Sequence, residues 1–214
     1  MSEASVLLFD LDGTLSDNYA GISSSIRHAL AKLGADDPGD AALRACIGPP
    51  LRETFSRLIA TDDPARIEQA IDAYRERYRE LGWQENVAYP GIGAALESLA
   101  DSGIRMFVCT SKPEVFAKRI VAHFGFDRHF ERVYGPDLAG ELDDKRKLLA
   151  WLIAHENLDP RACTMIGDRY QDVRAAHHNG ARAIGVLWGY GTVEELVSAD
   201  RLIDRPEQLT SLAR

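Results

Sequence analysis

Apolar positions along the chain fall into two periods. Four short stretches are almost continuously apolar: residues 5–9 (SVLLF), 104–110 (IRMFVCT), 162–167 (ACTMIG) and 183–187 (AIGVL). Runs this short and without alternation predict strands covered on both faces, as in a parallel sheet. A fifth, weaker strand is expected at 131–134 (ERVY). Helical spacing fills the intervals, at 92–102, 114–124, 145–156, 171–179 and 193–198, and Gly103, Gly125 and Gly180 stand where helix C-caps belong. Strand and helix in alternation predict an α/β fold with a parallel, Rossmann-like sheet.

Residues 16–87 break that rhythm and offer no strand pattern. Ile22, Ile26, Leu30 and Leu33 share one helical face, which Gly34 ends. Leu51, Phe55, Leu58 and Ile59 form a second face; Ile67, Ile71, Tyr74 and Tyr78 form a third, with Arg75, Arg77 and Arg79 interleaved. The expected organisation is a core of residues 1–15 and 88–214 interrupted by an all-helical cap domain at 16–87, with hinges near 15–18 and 86–90. No internal repeat or low-complexity segment is present.

The chain has 214 residues, 45% hydrophobic and 27% charged, enough apolar material for a sizeable core. Its net charge of −8 argues against nucleic acid as a partner, so any anionic ligand must be held by local groups against the overall field. Cys46, Cys109 and Cys163 are odd in number and lack a C-x-x-C pair, which suits buried thiols in a reducing compartment. No basic segment followed by an apolar stretch of signal-peptide length opens the sequence, and no run reaches the ~18 apolar residues of a membrane span. The expectation is a cytoplasmic protein without a membrane partner, monomer or homodimer.

In an open α/β sheet, ligands bind beyond the carboxyl ends of the strands. Asp10 and Asp12 follow the first apolar run; Thr110 ends the second, with Ser111 next; Asp168 follows ACTMIG, with Asp172 four residues on; Lys145 opens a helix after "GELDD". These four pieces, DLDGT, Thr110, Lys145 and GDRYQD, resemble in order the four motifs of the haloacid dehalogenase superfamily of phosphohydrolases. "CIGPPL", "YPGI" and "TSKP" look like its phosphoglycolate-phosphatase-like branch with a helical cap.

The resemblance implies a Mg²⁺-dependent phosphatase acting on a small phosphorylated metabolite, with phosphoglycolate the leading substrate. Asp10 would be the nucleophile that forms an aspartyl-phosphate. Asp12, two residues on along extended backbone, would serve as acid and then base. Gly13 permits the sharp turn that brings backbone N–H groups to the phosphate. Asp10, the backbone carbonyl of Asp12 and Asp168 would hold the metal, with Asp172 supporting them. Lys145 would neutralise charge on the transferred group, and Thr110 and Ser111 would donate hydrogen bonds to it.

Several readings stay open at this level. Arg146 or Lys147 in "DDKRK" could supply the cation, although Lys145 opens the helix and precedes Leu148–Leu149. Asp172 divides evenly between supporting partner and helix-surface charge. Arg52 is either a solvated helix residue or a contact to the anionic end of the substrate. His177–His178 are adjacent on a helix and do not face one site. "GIGAAL" and "GYGTVE" lack the third glycine of a dinucleotide fingerprint and are set aside. A 5′-nucleotidase, a pyrophosphatase and a phosphomutase fit the same scaffold. A dehalogenase needs no acid at Asp12, and a phosphonatase needs a cap lysine where only Lys32 is offered. The non-enzyme rival is a receiver-type phosphoacceptor switch, which needs no such cap.

Overall fold

A computed structural model describes residues 6–138 and 141–213, with the backbone alone at Ala213. The chain divides into two compact units, residues 18–87 and the remainder on either side of them.

The larger unit is built on a six-stranded sheet. Its strands are β1 (Val6–Phe9), β4 (Arg105–Cys109), β5 (Arg132–Tyr134), β6 (Cys163–Gly167), β7 (Arg182–Val186) and β8 (Arg201–Ile203). They lie in the order β5-β4-β1-β6-β7-β8, and each of these pairings is parallel. Two-residue strands β2 (Ser16–Asp17) and β3 (Val87–Ala88) mark where the chain leaves and rejoins this unit. The first strand begins within the described residues at Val6; the expected start at Ser5 lies outside them.

Burial explains why the apolar runs became strands. Val6 is 4% exposed, and Leu7, Leu8 and Phe9 are fully covered. Val6 and Leu8 join Phe107, Met165, Leu148, Leu149, Leu152 and Val173 in one cluster, so this face packs on α7 (Lys145–His155) and α8 (Tyr170–His178). Phe9 points the other way and meets Phe130 edge-on at 5.7 Å. α5 (Ile92–Asp101) buries Ile92, Ala95, Leu96 and Leu99 and packs on the C-terminal 3₁₀ turn Pro206–Ala213, and α6 (Glu114–His123) follows β4. Strand order reverses at β1: the chain runs outward through β4 and β5, then returns to β6 on the other side. That reversal opens a crevice at the carboxyl ends of β1 and β6.

One expectation is corrected. Residues 193–198 do not form a helix; they are consecutive turns in which Leu196 alone is fully buried while Val193 and Val197 are exposed. A stretch with one anchoring side chain has no apolar face to hold a helix on the sheet. The chain instead continues into β8, which the apolar pattern did not signal.

The smaller unit is helical: α1 (Tyr19–Lys32), α2 (Asp40–Arg44), α3 (Leu51–Leu58) and α4 (Pro64–Arg77), continued by a π turn at Tyr78–Gly82. Asp63 caps α4 by accepting the Ala65 N–H, with Pro64 at the first helical position. α1 packs on α4 and on the π turn. Gly21 lies so close to Gly82 that a Cβ would overlap the Gly82 carbonyl oxygen. Phe55, Tyr74 and Tyr78 form an aromatic column, the two tyrosine rings stacked at 5.3 Å. Leu33 caps α1 instead of extending its buried face, and the short α2 is additional to the three expected helices.

Candidate active site

Register places the first two carboxylates. Phe9 pairs with Ile166, and the Asp10 N–H continues the ladder by donating to the Ile166 carbonyl at 2.9 Å. Asp10 and Asp168 therefore leave adjacent parallel strands at the crevice, 6% and 0% exposed. The chain then turns sharply: the Leu11 carbonyl accepts from the N–H groups of Thr14, Leu15 and Ser16 at 3.3, 2.9 and 3.1 Å. Gly13 adopts φ +88°, and a Cβ there would overlap the Asp168 carboxylate. Glycine is thus required twice over, by backbone conformation and by the approach of the loop to Asp168.

Lys145 reaches the same point from the first turn of α7, where Asp144 caps the helix by accepting the Arg146 N–H at 2.9 Å. Its ammonium donates to Asp10 Oδ1 at 2.8 Å and is ion-paired with Asp172 Oδ1. Arg146 turns back onto Asp144 and Lys147 is exposed, so of the three it is Lys145 whose ammonium lies among these carboxylates. Asp172 is 2% exposed; its Oδ2 accepts the Arg169 N–H at 3.0 Å while Oδ1 faces Lys145. Asp172 is thus buried against Lys145 and is not a helix-surface charge.

Among the described residues, Asp10, Asp168 and Asp172 are the group whose ligating atoms come together, all within 4.8 Å of one another. Crowding shows in their protonation. Burial, then the charges of Asp10 and Asp172, hold the Asp168 carboxyl well above the usual carboxylate range. Burial pushes Asp172 up to about 6 although Lys145 beside it works in the opposite direction. Burial alone would lower the Lys145 ammonium, but Asp10 and Asp172 outweigh it and hold it above the ordinary lysine value. The donor set fits a divalent cation. It is all oxygen, and the three clustered carboxylates (Asp10, Asp168, Asp172) against the one ammonium of Lys145 leave two negative charges when all are ionised.

Thr110 is 1% exposed at the end of β4, its Oγ1 accepting the Lys112 N–H at 3.2 Å, and Ser111 beside it is half-buried. Asp12 is half-buried, with Oδ2 ion-paired to Lys112. Arg52 belongs to the helical unit: it is exposed on α3 and its guanidinium pairs with Glu68. His177 pairs with Asp200 at 3.0 Å.

Two groups of residues escape a reading of the sequence. Lys112 lies within "TSKP", where nothing local assigns it a role; it is 8% exposed and holds Asp12. The "GYG" set aside as a failed dinucleotide motif follows the carboxyl end of β7, and it packs on the carboxylates. The Tyr190 N–H donates to Asp168 Oδ2 at 2.8 Å, and the Tyr190 hydroxyl donates to Asp17 at 2.6 Å. A Cβ on Gly189 would strike the Gly13 carbonyl, and one on Gly191 the Asp168 carbonyl. Trp188 Nε1 donates to the Thr14 carbonyl at 3.0 Å, fastening the loop after β1. Two glycines flanking an aromatic residue at a strand end were the available signal.

The family model described as haloacid dehalogenase-like hydrolase matches residues 7–186. A Pseudomonas aeruginosa protein named 5′-nucleotidase is 46% identical over 190 residues, covering 89% of this chain and 86% of that one. The Mycobacterium tuberculosis protein named tyrosine-protein kinase PtkA is 42% identical over 190 residues, 88% of this chain but 64% of that protein. An Agrobacterium fabrum phosphoglycolate phosphatase is 32% identical over 209 residues, 95% of this chain and 89% of that one. The crystal structure of a predicted phosphatase from Clostridium acetobutylicum superposes with a TM-score of 0.93 at 36% identity, covering 98% of each chain.

Proposed function

The chain belongs to the haloacid dehalogenase-like hydrolases, and from that premise we propose a Mg²⁺-dependent phosphatase that cleaves small phosphate monoesters through an aspartyl-phosphate on Asp10. The observation that carries this reading is the convergence of Asp10, Asp168, Asp172 and Lys145 at the carboxyl ends of β1 and β6.

The Lys145 ammonium donates to one Asp10 oxygen and fixes it, leaving the other to attack phosphorus. The Thr110 hydroxyl and the Ser111 N–H serve the equatorial oxygens of the transferred group. Asp12 gives a proton to the leaving oxygen and takes one from the water that hydrolyses the intermediate. Asp10, Asp168 and the Asp12 carbonyl would hold Mg²⁺, which when bound neutralises charge on the phosphoryl group. Asp172 holds Lys145 in line from its other side.

Nucleoside 5′-monophosphates stand beside phosphoglycolate as substrates, supported by the names of the relatives at 46% and 32% identity. The test is phosphate release from both classes with Mg²⁺ and no added acceptor, which also separates hydrolysis from transfer to an acceptor. Asp10→Asn should abolish release from every substrate while the protein stays folded; near-normal turnover by this variant would remove Asp10 as nucleophile. For Arg52, the reading as a substrate contact requires Arg52→Ala to raise KM for the true substrate more than for p-nitrophenyl phosphate. Equal effects would end it. A receiver-type switch is set aside, because the family is one of hydrolases and Asp10 follows the first strand, ahead of the helical unit.

A further inference from the structure

The cluster contains a second buried lysine for which the scheme above has no use. Lys112 is 8% exposed, and its ammonium is ion-paired with Oδ2 of Asp12. Its main chain is fixed on both sides. The Lys112 N–H donates to Thr110 Oγ1 at 3.2 Å. Its carbonyl oxygen packs against Gly135 so closely that a Cβ there would overlap it. Pro113 follows, and the Glu114 N–H donates to the Pro136 carbonyl at 2.9 Å as α6 begins. The side chain thus starts from a pinned turn at the end of β4 and ends on the carboxylate that follows β1.

Such a pair is a poor way to gain stability. Desolvating two charges consumes most of their attraction, and ordering a lysine side chain costs rotamer entropy. A buried pair at the mouth of a catalytic crevice is better explained by what it orients.

We propose that Lys112 is a positioning residue for the acid–base carboxylate, holding Asp12 in the orientation from which its proton reaches the leaving oxygen. The proposal rests on the assignment of Asp12 as acid and base. In the first transfer an Asp10 oxygen bonds to phosphorus as the bond from phosphorus to the ester oxygen breaks. The electron pair leaves on that oxygen, which takes the proton of Asp12. In the second, water oxygen bonds to phosphorus as the bond to Asp10 breaks, and the water proton passes to the Asp12 carboxylate. Both steps need one carboxylate oxygen aimed at one point, and Lys112 grips the other.

Leaving-group chemistry tests this. An alkoxide needs the proton of Asp12 on departure, whereas p-nitrophenolate leaves without it. General acid catalysis is worth about 10²–10⁴-fold. Lys112→Gln should therefore lower kcat/KM on an alkyl phosphate at least tenfold more than on p-nitrophenyl phosphate, and Lys112→Arg should restore part of the difference. In an Asp12→Asn background, Lys112→Gln should add no further loss, because the residue acts through Asp12. Losses equal on both substrates, or losses that multiply in the double variant, overturn the proposal while leaving the mechanism standing. An Asp12→Asn enzyme that still hydrolyses the alkyl ester normally overturns the mechanism and the proposal together. Should Lys112→Gln fail to fold, Lys112→Arg is read alone. A loss at least threefold larger on the alkyl ester supports the role, and equal losses refute it.

Discussion

Gly13 offers a direct test of how closely the loop after β1 is built around Asp168. Alanine at this position meets two obstacles. A φ of +88° lies in the left-handed region, where an L side chain costs about 1–2 kcal/mol. The new Cβ would also stand 2.6 Å from the Asp168 Cγ, an overlap in a fully buried place, and overpacking of that kind costs about 1–3 kcal/mol. Together these predict a loss of about 2–5 kcal/mol, a large share of the ~5–15 kcal/mol that holds a typical protein folded. Gly103→Ala separates the two contributions. Gly103 has φ +76° and nothing within 4 Å of the place an alanine methyl would take, so it carries the backbone cost alone. Calorimetry in EDTA should place Gly13→Ala below Gly103→Ala by about 1–3 kcal/mol, or roughly 2–12 °C in Tm for a chain of this size. Displacing Asp168 should also raise the Mg²⁺ concentration for half-maximal phosphate release at least tenfold in Gly13→Ala and leave it unchanged in Gly103→Ala. Two variants with the same Tm and the same Mg²⁺ midpoint would show that the loop does not press on Asp168, and the account of the turn would fail.

Removing the metal should be visible without turnover. At free Mg²⁺ of about 100 times its Kd the folded state gains about 2.7 kcal/mol, so Tm should rise when MgCl₂ follows EDTA, and Asp168→Asn should blunt the rise; a wild-type Tm indifferent to Mg²⁺ would count against the metal centre. Asp144→Ala should cost about 1 kcal/mol through loss of the α7 cap. The Arg146 guanidinium, despite some burial, holds the Asp144 carboxyl down at about 2, below its ordinary 3.8. The favourable contribution is therefore whole above pH 4 and fades as pH falls through about 2. Urea melts should show the gap between wild type and variant narrowing from about pH 7 to about pH 2.5, and a constant gap would rule out the ionised cap.

What was legible in the sequence follows from what burial demands. β1, β4, β6 and β7 carry side chains covered on both faces, and only a nearly unbroken apolar run satisfies that. Where such a run stops, the strand stops, so the carboxylates Asp10 and Asp168 could be placed at the crevice from the chain alone. Helix phase did the same for Lys145: it shares a buried face with Leu148, Leu149 and Leu152, and Arg146 and Lys147 do not. β8 and α2 were invisible for the opposite reason. Each anchors itself with one buried side chain, Ile203 in the strand and Leu43 in the helix, and a single apolar residue has no period.

Lys112 and the 188–191 loop were hidden by something else. A lysine before a proline reads as a solvated turn, and its sequence neighbours contain no hint of Asp12, 100 residues earlier. Tyr190 and its flanking glycines obey a distance requirement that no local pattern encodes: backbone must come within contact of the backbone at Gly13 and Asp168, and only residues without Cβ allow it. Both cases concern groups that act on a carboxylate already identified. Asp10, Thr110 and Asp168, to which the proposed chemistry is assigned, follow strands, where the sheet dictates their position; the groups that contact these carboxylates come from elsewhere in the chain and are brought there by folding. A sequence read for periodicity finds the first kind and passes over the second, and so the side chain most in need of experiment here is Lys112.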